Sequence, residues 1–202
     1  MTNSSSDFGR EFDSLADVVT FGIAPAFLAY AWGVRVVDEV YGTETLQHFR
    51  EVGWIITFLF AICGAARLAR FNIDSSKGSS DRRYFIGLPI PAAAGVVAAL
   101  VHWIKYPVYD WPFGVVWLGV IGILGLLMVS RIRYYSFKSF DLRRRRPYVT
   151  IIIIGLIVWG IWAFSEPVLL TIALIYALSG PIARLTSRFR PHPPAPEEVP
   201  AS

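Results

Sequence analysis

The run Pro112-Phe113-Gly114-Val115-Val116-Trp117-Leu118-Gly119-Val120-Ile121-Gly122-Ile123-Leu124-Gly125-Leu126-Leu127-Met128-Val129-Ser130 contains no charged residue. A hydrocarbon core takes about 20 apolar residues of helix, so this stretch predicts a membrane span over 112–130. The same yardstick gives five more spans, at approximately 13–32, 51–71, 85–104, 147–165 and 167–185. The first opens on Asp13 and Asp17 and is the least apolar at its start. Only Ser165, Glu166 and Pro167 separate the last two, which predicts a tight helical hairpin. Pro107, Pro112, Pro147 and Pro167 fall at span ends, where a missing N–H costs little. The expected fold is all-α, a polytopic transmembrane helix bundle of about six spans.

Composition agrees. Hydrophobic residues make up 54% of the 202, above the usual share for soluble domains, because a lipid-embedded protein needs an apolar outside as well as an apolar core. The formal charge is +4, but the basic residues sit between apolar runs rather than on one patch, which points to membrane orientation and not to nucleic acid. With six spans both termini share one side. That side holds Arg10, Arg67, Arg70, Lys77, Arg82, Arg83, Arg131, Arg133, Lys138, Arg143 to Arg146, Arg184, Arg188 and Arg190; the other holds Arg35, Arg50 and Lys105. Sixteen of the 19 Lys and Arg on one side makes that side cytoplasmic under the positive-inside rule. The Arg143–Arg146 run serves either as a topology anchor or as a contact for phospholipid headgroups. His102 and His48 fall on the opposite side, His102 at a span end and His48 in an outer loop.

Residues 1–190 are expected to form one membrane domain, and 191–202 a Pro-rich tail with no means of packing a core. Cys63 is the lone cysteine, so neither a disulfide framework nor a cysteine zinc site is available. The chain opens on Met1-Thr-Asn-Ser-Ser-Ser-Asp7, which is polar and unlike a secretory signal peptide.

Chemistry concentrates in Gly9-Arg10-Glu11-Phe12-Asp13-Ser14-Leu15-Ala16-Asp17, a G-x-x-x-D-x-x-x-D skeleton. Four residues is about one helical turn, so Gly9, Asp13 and Asp17 share a face. Two carboxylates about 6 Å apart repel by roughly 3 kcal/mol at an effective dielectric of 20. A divalent cation with oxygen ligands would relieve that repulsion, and Gly9 would leave room for a bulky polyanion. The alternative is a solvated acidic pair that favours the helix dipole.

The pattern resembles the CDP-alcohol phosphatidyltransferase family, whose motif is D-x-x-D-G-x-x-A-R-x8-G-x-x-x-D-x-x-x-D across two membrane helices. Gly9, Asp13 and Asp17 match its last three fixed positions. The stretch Phe8 to Ala26 is similar to the phosphatidylserine synthase branch, as are Arg67-Leu68-Ala69-Arg70-Phe71-Asn72, Gly87 to Gly95 and Ser130 to Lys138. The D-x-x-D-G-x-x-A-R half is absent, and by the family spacing Met1 would follow its arginine directly. The expectation is therefore an N-terminally truncated frame, inactive as written.

The resemblance implies transfer of a phosphatidyl group from CDP-diacylglycerol to L-serine, with Mg²⁺ or Mn²⁺ as cofactor and release of CMP. It implies Asp13 as a metal ligand and Asp17 as the base that also contacts metal. Gly9, Arg67, Arg70 and Asn72 become candidate substrate-binding residues. An arginine fork would suit the serine carboxylate, although both arginines could instead snorkel to lipid phosphates. Expected partners are the two substrates and membrane lipids, with a homodimer allowed and no nucleic acid. The expected location is a bacterial-type cytoplasmic (inner) membrane, with the active site and both termini facing the cytoplasm. Two alternatives stand beside this reading: a related transferase taking glycerol phosphate or inositol phosphate, and an inactive or non-catalytic membrane protein. A transporter would show internal repeats, and none is seen.

Overall fold

A computed structural model describes residues 7–41, 47–76, 84–135 and 147–188. Helix α1 runs from Asp7 to Tyr41, α2 is Gln47–Ser76, α3 Ile90–Ile104, α4 Trp111–Val129, α5 Pro147–Ala163 and α6 Ser165–Arg188. Two three-residue strands, β1 Tyr84–Ile86 and β2 Arg133–Tyr135, pair antiparallel with Phe85 opposite Tyr134. The expected tail and the Arg143–Arg146 run lie outside the described residues.

Among the described residues, four helical stretches are long and apolar enough to cross a membrane: Phe8–Tyr41, Gln47–Asp74, Trp111–Val129 and Ser165–Thr186. Two apolar helices, Ile90–Ile104 and Ile152–Ala163, are shorter. The chain is thus an all-α bundle of the membrane type, an integral membrane protein. The first two helices overrun their expected spans at both ends, α1 beginning at Asp7 and α2 covering Gln47–Ser76, and the third is shorter than expected. The third helix starts at Ile90 rather than 85, because residues 84–86 pair as a strand and Pro89 caps the helix without offering an N–H. The first helix continues past residue 32 to Tyr41, carrying Arg35, Asp38 and Glu39 with it. His48 also lies in helix α2, not in a loop.

Helix α1 is not a plain α-helix. Val18–Ile23 and Ala31–Arg35 are π-helical turns. The first stands just ahead of Pro25, whose ring would clash with the carbonyl four residues back and which has no N–H to give. A wider turn relieves both, and the Ala24 N–H donates to Val19 O, five residues back. Carbonyls on either side of the second turn's start receive donors from elsewhere: Trp117 Nε1 donates to Ala29 O at 3.0 Å, and the Val108 N–H to Trp32 O at 3.3 Å.

Small residues let these helices close up, as membrane packing favours. A Cβ on Gly53 would meet Val34, one on Gly64 would meet Ile90, and one on Gly33 would overlap the Trp117 indole. The core so formed joins Ala29, Phe60, Ile90, Val97, Ile121 and Met128. Gly87 is required by its backbone: it has φ +79 and lies against Met128 O, where its N–H reaches Ile132 O at 2.8 Å. This turn fastens the ribbon to the end of α4. Tyr134, fully buried, then fastens the ribbon to α6 by donating to Ala177 O at 3.1 Å, with its ring seated on Gly180.

At the opposite end each of the three basic residues is paired. Arg35 Nε meets Glu39 Oε1 at 2.8 Å, Arg50 Nη1 meets Asp38 Oδ2 at 3.3 Å, and Lys105 Nζ meets Glu166 Oε1 at 2.6 Å. His102 Nε2 lies 3.0 Å from Ser165 Oγ at this same end, away from the acidic motif as expected.

Candidate active site

The start of α1 supplies the carboxylates. Asp13 is exposed and Asp17 half-buried, at the edge of an inward stripe that continues through Ser14, Phe21, Gly22, Ala26 and Ala29. Gly9, one turn earlier, is exposed. Among the described residues neither aspartate is ion-paired with Lys, Arg or His.

The end of α2 supplies the cations and an amide. Its buried face reads Gly53, Thr57, Phe60, Gly64 and Arg67, so the periodicity that builds the core also carries a guanidinium into it. Arg67 is only 7% exposed, with its guanidinium 5.2 Å above the Phe71 ring. A charge on the inward face of a membrane helix is costly and points to function. Arg70, three residues on, has different surroundings: it is exposed, and Nη1 donates to Val129 O of α4 at 3.4 Å. Asn72 Nδ2 donates to Ser14 Oγ at 2.8 Å, and Ser14 Oγ donates to Arg10 O at 3.1 Å. One hydrogen bond therefore ties the end of α2 to the turn between Asp13 and Asp17.

The sequence did not single out Ser14, Tyr134 or Tyr176. Tyr176 of α6 interacts electrostatically with Arg67, and its ring centroid lies 6.0 Å from that of Tyr134. Burial, reinforced by Tyr176, pushes the Tyr134 phenol up to about 12. A tyrosine inside an otherwise apolar run, as in Leu174-Ile175-Tyr176-Ala177, is the available signal, since its hydroxyl needs a polar neighbour when buried.

The carboxylate pair has the right chemistry for a hard divalent cation, being oxygen-only and, among the described residues, free of competing ion pairs. It supplies two of the roughly six oxygens such an ion takes. No third Asp, Glu, His or Cys joins the pair among the described residues.

Fold and site together define a polytopic helical membrane protein in which an acidic helix turn is tied, through Ser14 and Asn72, to the arginine-bearing end of α2. Residues 1–128 match the CDP-alcohol phosphatidyltransferase family, and the chain belongs to it. The chain is 40% identical over 158 residues to a CDP-diacylglycerol–serine O-phosphatidyltransferase of Helicobacter pylori (strain J99), covering 78% of this chain and 61% of that protein. It is 36% identical over 183 residues to the protein of that name from Methanocaldococcus jannaschii, covering 89% and 71%. For the Bacillus subtilis protein of that name the figures are 37% over 139 residues, 68% and 64%. The chain spans about three fifths of the length of the Helicobacter relative it matches.

Proposed function

We propose that this chain carries the acceptor side of a phosphatidyl transfer from CDP-diacylglycerol to L-serine, giving phosphatidylserine and CMP. The observation that carries the reading is the Asn72–Ser14 hydrogen bond, which puts the α2 end bearing Arg67 and Arg70 beside the Asp13–Asp17 turn. The names of the relatives supply the reaction and the acceptor.

In this reading the serine hydroxyl oxygen attacks the lipid-side phosphorus, the bond to the CMP oxygen breaks, and the hydroxyl proton passes to Asp17. A carboxylate is a weak base for an alcohol, so proximity and late proton transfer carry the step. Gly9, lacking a side chain, lets the pyrophosphate approach α1. Arg67 or Arg70 takes the serine carboxylate, for which a planar guanidinium fork is suited, while Asn72 holds the two helix ends in register. Mg²⁺ or Mn²⁺, held in part by Asp13 and Asp17, would neutralise pyrophosphate charge. The basic end of the bundle faces the cytoplasm.

The test is a membrane assay with CDP-diacylglycerol, labelled serine and either metal. It compares the 202-residue chain with the same chain preceded by a helix carrying D-x-x-D-G-x-x-A-R. The longer form should release CMP and label phosphatidylserine; the shorter should not. Faster turnover with glycerol 3-phosphate would overturn the choice of acceptor, and no CMP from either form would overturn the transferase reading.

A further inference from the structure

Helix α1 must do two things with one face. Its first turns carry the half-buried Asp17 and bring Ser14 to Asn72 of α2, and its later turns bury Ala29, Val34 and Val37 in the core. At roughly 100° per residue, Ser14 and Val34 would point about 200° apart on an unbroken α-helix. Both lie on the packed side: Ser14 bonds Asn72, and Val34 is fully buried against Gly53. The two π-helical turns resolve the conflict, since each holds about one extra residue and turns the following helix back by roughly 100°. The turn at Val18–Ile23 lies between the carboxylates and the core, so it alone sets the azimuth of Asp13 and Asp17 relative to Gly22, Pro25 and Ala26. Its physical cause is Pro25, buried and without an N–H, at the start of the next helical segment.

We infer that Pro25 is a positioning residue: by holding Val18–Ile23 in a π-helical turn it aims Asp13 and Asp17 at the end of α2. It touches neither substrate nor the reacting atoms. The inference rests on the proposed function for what the aspartates do, but not for where they point.

Pro25→Ala restores the N–H and removes the clash, so the turn relaxes to α and rotates residues 7–17 by about 100°. Deleting Thr20, an exposed residue of the same turn, from Pro25→Ala takes out the extra residue and returns the aspartates to their original azimuth on a straight helix. The readout is a cross-link. Cysteines at Ser14 and Asn72, with Cys63→Ala, are bridged by a short bifunctional methanethiosulfonate in membranes. Bridging should be rapid with Pro25, at least fivefold slower in Pro25→Ala, and restored in Pro25→Ala lacking Thr20. In the assay of the form preceded by the D-x-x-D-G-x-x-A-R helix, with native Ser14 and Asn72, kcat should fall and recover in the same order. Equal bridging with and without Pro25 overturns the inference. So does slow bridging that the deletion fails to restore, because that pattern is unfolding and not rotation. If bridging follows the expected order and no form releases CMP, the proposed function fails and the positioning role stands.

Discussion

Asp17 and Arg67 make opposite demands on their surroundings. Asp17 sits half-buried about three turns into α1, where its carboxylate still reaches water. Arg67 sits inside the bundle, with its guanidinium over the Phe71 ring and in electrostatic contact with Tyr176. In the form preceded by the D-x-x-D-G-x-x-A-R helix, Asp13→Asn and Asp17→Asn should each lower turnover at least about 100-fold, the usual worth of a positioned acid or base, measured as CMP release at saturating serine. Arg67→Lys should fold yet raise the serine KM more than it lowers kcat, since an ammonium keeps the charge and loses the fork. Both aspartates were legible in the sequence because a four-residue repeat fixes a shared helix face whatever the tertiary fold. The burial of Arg67 was not. Near the end of a span, an arginine that turns inward and one that snorkels to lipid phosphates look alike, and only the phase of Gly53, Thr57, Phe60 and Gly64 separates them.

At the scale of elements, the apolar runs announced the helices, but the ribbon and the π turns escaped. Strands of three residues carry no periodicity of their own, and β1 and β2 exist because Gly87 and Tyr134 tie them to α4 and α6. The π turn had one local sign, Pro25 in the middle of an apolar run. Tyr134 makes the ribbon's dependence on α6 measurable. Its phenol is raised from 10.0 to about 12, so the folded state holds this proton more tightly than the unfolded chain does. Its contribution to stability is complete below pH 10, declines as pH rises above that value, and is lost through about pH 12. Thermal unfolding in detergent should therefore show a stability loss over this window that is smaller in Tyr134→Phe. At neutral pH that variant should cost about 1 kcal/mol for the bond to Ala177 O. Gly33→Ala, which drives a methyl into the Trp117 indole, should cost about 1–3 kcal/mol by overpacking.

Across the whole molecule, the two ends of the bundle differ in how their charges are arranged. The sparse end neutralises each of its arginines and its lysine with a neighbouring acid, and gathers Trp103, Tyr106, Tyr109 and Trp111 in exposed positions, as an aromatic belt at a membrane–water boundary would. The other end exposes Arg70, Arg131, Arg133 and Arg184. Lysine and arginine, more than net charge, set orientation, and here both measures agree. Arg131→Cys and Tyr109→Cys, each in a Cys63→Ala background, place a reporter at an exposed position of each end. An impermeant maleimide added to intact cells should label Tyr109→Cys and spare Arg131→Cys, and inverted membrane vesicles should reverse the result. Labelling of both variants from one side would break the antiparallel order of α3 and α4 that brings Gly87 to Met128. A clean exchange of the two sides would keep the fold but put Asp13 and Asp17 outside, away from a cytoplasmic supply of nucleotide-activated lipid and serine, and the proposed reaction would lose its setting.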